Sequence, residues 1–148
     1  VELLGKCGVD FTHSPNVVQA MWDKVVFLAT LAGSTCLMRA SVGDIMHTLA
    51  GEAFVLALFA EGVAIAAASG QPLGEAQQVA YLGQLTDPAS GLMASMLRDV
   101  ERGGPTEAEH ILGDLVARAQ AKGVAAPNLA LAYSHLQAYD RRRLAASA

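Results

Sequence analysis

An all-α, multi-helix bundle is the fold class this sequence predicts, on three observations. Apolar residues recur at helical spacing along most of the 148-residue chain, and Gly and Pro fall between the periodic segments. The composition is rich in Ala and Leu, with 5% aromatic and 16% charged residues, which suits close-packed helices and leaves an unusually apolar surface. The one alternating stretch, Val9-Asp10-Phe11-Thr12, has no partner strand elsewhere in the sequence.

Residues 1–13 read as a short helical tail, a turn at Gly8 and that orphan strand. Ser14 as N-cap with Pro15 at the first helical position opens a long helix that should run to about Gly33. Residues 41–49 form a short second helix. Residues 51–69 form a third, stopped by Gly70 with Pro72 beyond it, and residues 75–85 a fourth. After the turn-rich Thr86-Asp87-Pro88, residues 90–102 make a fifth helix that halts at Gly103-Gly104-Pro105. Thr106 starts a sixth, with Glu109 completing a capping box, and Gly123 ends it. Ala126-Pro127-Asn128 opens the last helix, expected to reach about Arg143.

The first helix poses a chemical question. At about 100° per residue, Asn16, Gln19, Asp23 and Thr30 share a polar face. Lys24 falls instead among Val17, Ala20, Met21, Phe27, Leu28 and Leu31. A lysine there either lies along apolar surface and carries its charge out to water, or stands at the wall of a cleft where it can exchange a proton.

Several function classes are disfavoured. A formal net charge of -4 and the lack of a basic, aromatic-interleaved stripe argue against nucleic acid as the main partner. The three arginines at 141–143 suit the end of a helix. Cys7 and Cys36 have no C-x-x-C spacing and fit reduced thiols in a cytoplasmic protein, with one disulfide between them as the alternative. The longest apolar run, residues 53–68, holds Glu61 and falls short of the roughly 20 residues that span a bilayer, so it reads as a buried soluble helix rather than a membrane segment. Residues 1–13 show no basic segment followed by a cleavage site, so no secretion signal is expected.

Metal chemistry would rest on Glu107-x-x-His110 and Asp44-x-x-His47, with Glu52 and Glu61 as further ligands, the spacing seen in di-iron bundles. The start of a helix explains Glu107 and Glu109 more simply, His47 lies on a short helix, chance carboxylate-histidine pairs are common, and no metal site is expected. There is no G-x-S-x-G elbow and no G-x-G-x-x-G phosphate loop. Glu61 reads as a structural carboxylate that reaches a rim or a buried partner. The remaining candidate is the stretch from Ser95 through Asp99 to Glu107, in which a helix, a glycine stop and an acidic helix start follow one another.

Met21-Trp22-Asp23-Lys24, Ser95-Met96-Leu97-Arg98-Asp99, Gly103, Thr106-Glu107, Gly113 and Gly123-Val124-Ala125-Ala126-Pro127 resemble, in order and spacing, the C-terminal helical domain of ketopantoate reductase (2-dehydropantoate 2-reductase). That domain is of the 6-phosphogluconate dehydrogenase C-terminal type. The likeness covers essentially the whole chain. Each motif is weak alone; the ordered set M-W-x-K, S-M-x-x-D-x-x-x-G-x-x-T-E and G-V-x-x-P is specific.

The resemblance implies that residues 1–13 are the end of an N-terminal Rossmann domain that binds NADPH. Residues 14–148 would be the helical substrate-binding domain, inactive alone. It implies reduction of a 2-keto acid, ketopantoate to pantoate by default, in pantothenate and coenzyme A biosynthesis. Lys24 would then be the general acid toward the carbonyl oxygen, and Glu107 would hold the substrate hydroxyl and the lysine. Ser95 would contact the substrate carboxylate, with Asp99 of the same motif on the substrate side. The implied partners are the 2-keto acid and the Rossmann domain of the same protein, and the apolar surface adds a homodimer. The family pattern has asparagines where this chain has Leu28, Ala32 and Leu112, which points to a different 2-keto acid as one alternative. A helical interaction domain without catalysis is the other.

Overall fold

The computed structural model describes residues 16–146. Residues 1–13, the expected end of another domain, and with them Cys7, lie outside the described residues. The described residues hold seven α-helices and one π-turn, and no strand. They are α1 Val17–Met38, α2 Val42–Met46, α3 Gly51–Ala68, α4 Glu75–Leu85, α5 Ser95–Glu101, the π-turn Glu109–Gly113, α6 Asp114–Lys122 and α7 Pro127–Ala146.

Helix α1 is the axis of the bundle and packs against α2, α3, α4, α5, the π-turn and α7. Its N-cap is Asn16, whose side chain accepts from Gln19 N at 3.1 Å, so the cap lies two residues beyond the predicted Ser14, which falls outside the described residues. Nor does α1 stop at Gly33. A Cβ on Gly33 would come within 2.9 Å of Leu58 Cδ2 and 3.3 Å of Ala132 Cβ, so this glycine is where α3 and α7 press closest on α1. The helix runs on to Met38 and ends where Arg39 turns left-handed, φ 55°. The buried hydroxyls of Thr30, Ser34 and Thr35 donate back to carbonyls of the preceding turn at 2.7–2.9 Å, which lets polar side chains sit in this core helix.

Helix α2 opens with a capping box. Asp44 N donates to Ser41 Oγ at 3.2 Å, and the Asp44 carboxylate accepts from the Ser41 hydroxyl and N–H. The Ser41 hydroxyl holds the Asp44 carboxyl below its usual range, so the cap's contribution is present at neutral pH and fades as pH falls through that lowered value. The helix closes at Met46, short of the expected residue 49, because the chain doubles back over it: a Cβ on Gly51 would lie 1.9 Å from Ile45 O.

The predicted fifth helix also begins later, at Ser95 rather than Ser90. The carbonyls of Ser90 and Leu92 are taken by Gly43 N and Val42 N, at 2.8 and 2.9 Å. The loop thus caps the otherwise orphaned N–H groups of α2 and cannot also be helix.

Helices α1 and α3 are each long and apolar enough to cross a membrane, and here they pack on one another as the main helix pair. Only one stripe of α3 is fully buried, including Val55, Leu58, Phe59, Gly62 and Ile65; beside it Phe54 and Val63 are half-buried, and the remaining face is exposed, with Leu56 40% exposed. Within the buried stripe Glu61 meets α7. Its carboxylate accepts from Asn128 N (3.0 Å), Asn128 Nδ2 (2.7 Å) and Leu129 N (2.8 Å), supplying from another helix the acceptor that an N-cap residue would offer. Helix α7 then extends to Ala146, past the predicted Arg143, and Arg143 pairs with Asp140 at 3.3 Å.

The capping box predicted for the sixth helix does not form. The Thr106 hydroxyl, though it accepts weakly from Ala108 N at 3.4 Å, donates to Asp140, and the Glu109 carboxylate accepts from Tyr133. Regular helix resumes only after the π-turn and ends, as the sequence predicts, at left-handed Gly123 (φ 66°).

The Glu61 contact can be tested by stability, and the buried thiol of Cys36 on α1 by reactivity. Glu61→Ala removes an N-cap acceptor and strands buried N–H groups, so urea denaturation should show a loss of about 2–4 kcal/mol, with Glu61→Gln costing less. Cys36 is fully buried and free, and burial pushes its thiol up to about 12. At pH 8 only about one part in 10⁴ is thiolate, so in a Cys7→Ser background a chromogenic disulfide reagent should leave native Cys36 unmodified and titrate it after denaturation.

Candidate functional site

A groove of about 180 Å³ opens between α1, the start of α5 and the segment that leads into the π-turn. One wall is apolar, built by Leu28, Leu31 and Ala32 of α1 with Met93, Met96 and Ile111. The other edge carries Ser95, Asp99 and Glu107, all of them solvent-exposed. Three of the four residues singled out in the sequence are therefore brought to one place.

The fourth, Lys24, is exposed and is not part of the groove wall. It stands on α1 one turn before Leu28, where the helix is leaving the core: Met21 is 62% exposed, and burial begins only at Val26. The apolar stripe assigned to Lys24 is thus open at its N-terminal end. Two residues earlier, Trp22 lies under the Arg118 guanidinium, 5.3 Å from the ring centroid, while Arg118 binds Asp114 at 2.8 Å. This fastens the Lys24 turn to α6.

Local structure fixes each polar edge residue. Ser95 and Asp99 are one turn apart on α5, on the same side of the helix. The start of α5 is tied to α1 by Thr35, whose hydroxyl donates to Leu31 O at 2.7 Å and accepts from Ala94 N at 3.4 Å. At the far end, Gly103 takes φ 72° and Gly104 N donates to Asp99 O at 2.8 Å, folding the chain back along α5. That reversal brings Glu107 to the groove. The Glu107 carbonyl accepts the first bonds of the following helix, from His110 N and Ile111 N at 3.2 and 3.1 Å.

The π-turn has its own lock. A Cβ on Gly113 would lie 2.9 Å from the Tyr133 ring, and the Tyr133 hydroxyl donates to Glu109. That bond, with burial, raises the Tyr133 hydroxyl above its ordinary range. π-Turns of this kind recur at functional sites.

Of the candidate metal ligands in the sequence, Asp44 and Glu61 are engaged in helix capping, and His47 Nδ1 lies 2.7 Å from Gly43 O. Among the described residues no group of three or more His, Cys, Asp or Glu side chains is placed to hold a metal ion. Leu112, one of the three apolar departures from the family pattern, faces the core, fully buried beside Gly33; its neighbour Ile111 lines the groove instead. Sequence reasoning missed Ile111, Met93 and Met96 because a groove wall shared by three elements has no periodic signature in any one of them.

The solved structures on which this bundle superposes define its class: it has the helical fold of the C-terminal domain of the ketopantoate reductase family. The chain belongs to the ketopantoate reductase family, residues 16–140 matching the family model described as ketopantoate reductase PanE/ApbA C terminal. It is 32% identical over 130 residues to an uncharacterized oxidoreductase, YkpB, from Bacillus subtilis, covering 88% of this chain and 43% of the relative. It is 28% identical over 120 residues to a 2-dehydropantoate 2-reductase from Halobacterium salinarum, covering 81% and 39%. The crystal structure of 2-dehydropantoate 2-reductase from Methylococcus capsulatus matches with a TM-score of 0.83 and 31% identity, over 96% of this chain and 49% of that one. A dimeric ketopantoate reductase from Staphylococcus aureus matches with a TM-score of 0.85 and 26% identity, over 96% and 49%. The chain therefore spans about half the length, or less, of these four relatives.

Proposed function

We propose that this chain is the substrate-side domain of an NADPH-dependent 2-oxo acid reductase, cytoplasmic, with ketopantoate as the reference substrate. The observation that carries the reading is the convergence of Ser95, Asp99 and Glu107 on one groove beside the Lys24 turn. The chain has no glycine-rich phosphate loop, so its own residues do not suit a dinucleotide, and the Rossmann domain of the same protein is the proposed holder of NADPH. When bound, that cofactor supplies the hydride.

The roles of this chain's residues follow from charge. Reduction of a ketone leaves negative charge on its oxygen, and an ammonium at the groove mouth both stabilises that charge and supplies the proton. Lys24 is assigned that role. Its exposure here fits a residue whose remaining surroundings come from the substrate and the Rossmann domain. Glu107 orients the lysine and accepts from a substrate hydroxyl, Ser95 donates to the substrate carboxylate, and Asp99 holds the same edge. The exposed apolar side chains of Val17, Val18 and Met21, with the dimeric Staphylococcus aureus relative, support a homodimer as the working assembly.

A second reading is favoured by the groove wall itself. Leu28, Ala32 and Ile111 offer a substrate no hydrogen bond, which suits a 2-oxo acid with a more apolar tail than ketopantoate.

Two outcomes test these readings in the full-length protein. Lys24→Ala should lower turnover of 2-oxo acid by roughly 10²–10⁴-fold, with NADPH affinity measured by fluorescence titration nearly unchanged; a loss of only a few-fold removes Lys24 from the chemistry. Leu28→Asn should move the ratio of kcat/KM for ketopantoate over 3-methyl-2-oxobutanoate upward by about tenfold, measured by NADPH oxidation, if the wall sets the tail preference.

A further inference from the structure

We propose that Tyr139 and Asp140, on α7, are positioning residues for Glu107. They touch neither the groove nor a ligand in it; they hold the segment from which Glu107 projects. The inference rests on the reading of Glu107 as a functional carboxylate.

The observation is a pair of hydrogen bonds that converge on a few residues. The Tyr139 hydroxyl donates to Gly104 O at 2.7 Å, and the Thr106 hydroxyl donates to Asp140 Oδ2 at 2.6 Å. The other Asp140 oxygen accepts from Arg143 Nε at 3.3 Å, which fixes the carboxylate in turn. These anchors hold Gly104 and Thr106 on either side of Pro105; left-handed Gly103 precedes them, and Glu107 follows directly.

Two consecutive glycines have the most backbone freedom to lose on folding, and no helical ladder covers residues 104–106. The order of this segment comes from both sides: the Gly104 N bond to Asp99 O holds it to the end of α5, and the two α7 side chains hold its far side. Asp140 and Thr106 line a separate, wider hollow of about 490 Å³ that shares no residue with the groove. Their effect on chemistry is therefore indirect, and Glu107, the residue directly after Thr106, is the groove residue nearest to them in the chain. Displacing a reacting or orienting group by about 1 Å can cost as much as 10²-fold in rate, so loosening the segment should be visible in turnover while the fold stays intact.

The experiment uses the full-length protein with NADPH and ketopantoate, or 3-methyl-2-oxobutanoate if that is turned over faster. Thr106→Val deletes the donor at nearly constant volume, Thr106→Ser restores it, Tyr139→Phe deletes the second bond, and Asp140→Ala removes the acceptor. Each deletion is expected to lower kcat about tenfold with KM changed less than about threefold, and Thr106→Ser to recover wild-type turnover. Amide hydrogen exchange should quicken over residues 103–107 and stay unchanged over α3.

The decisive arm is the cycle with Glu107→Gln. A residue that acts only by aiming Glu107 adds less than about twofold to the loss already caused by Glu107→Gln, whereas an independent structural role multiplies with it. Multiplication, or unchanged kcat in Thr106→Val and Tyr139→Phe, overturns the inference and leaves Glu107 in place. Unimpaired turnover in Glu107→Gln, or no turnover of any 2-oxo acid by the parent protein, overturns the reading of the site, and the inference with it. If Asp140→Ala does not fold, the Thr106→Val and Thr106→Ser pair still separates these outcomes.

Discussion

The buried carboxylate of Glu61 is the contact on which the arrangement of this domain turns. An ionised group inside a helical bundle is costly unless its oxygens are hydrogen-bonded, and here three N–H donors at the start of α7 satisfy them. The bond joins the middle of α3 to the first turn of α7. It fixes where α7 begins and therefore which of its later residues face which neighbour. Leu129, Ala132 and Leu136 fall on the core side, Ala132 meeting Gly33 of α1, and two turns beyond Ala132 the side chains of Tyr139 and Asp140 reach the chain ahead of Glu107. Core and groove edge are set by one helix placed at one end.

The groove has a division of labour that follows from this placement. Its apolar wall belongs mostly to α1, whose C-terminal half is the most deeply buried part of the domain, so that wall is rigid. Its polar edge belongs to the short α5 and to the segment after it, which are held by side chains from α1 and α7. Shape thus comes from the core and polarity from segments tied to it by hydrogen bonds.

Much of the architecture is legible in the sequence because helix stops are local. Gly70 with Pro72, Gly103-Gly104-Pro105 and Gly123 each mark a helix end without reference to anything distant. Sequence and structure part where a distant partner decides. Gly33 looks like a stop and is a close approach of three helices; Ser90 looks like a helix start, but its carbonyl belongs to α2; Thr106 and Glu109 have the spacing of a capping box, and both side chains are claimed by α7. The groove is legible only through motif order. Nothing local in Ser95, Asp99 and Glu107 says that a glycine reversal brings them to one edge, and Tyr139 and Asp140, more than thirty residues from the groups they hold, leave no pattern at all.

The π-turn at Glu109–Gly113 has a consequence for how such domains diverge. A π-turn is an α-helix that has gained one residue, and one residue of helix is about 100° of rotation. The two flanks of this turn serve different masters: α6 packs into the bundle, while Glu107 addresses the groove. The extra residue lets the second be re-aimed without disturbing the first. In a lineage that lost or regained it, an alignment would record a single-column gap in a well-matched helix, while the chemistry presented to the groove would change by more than a quarter turn.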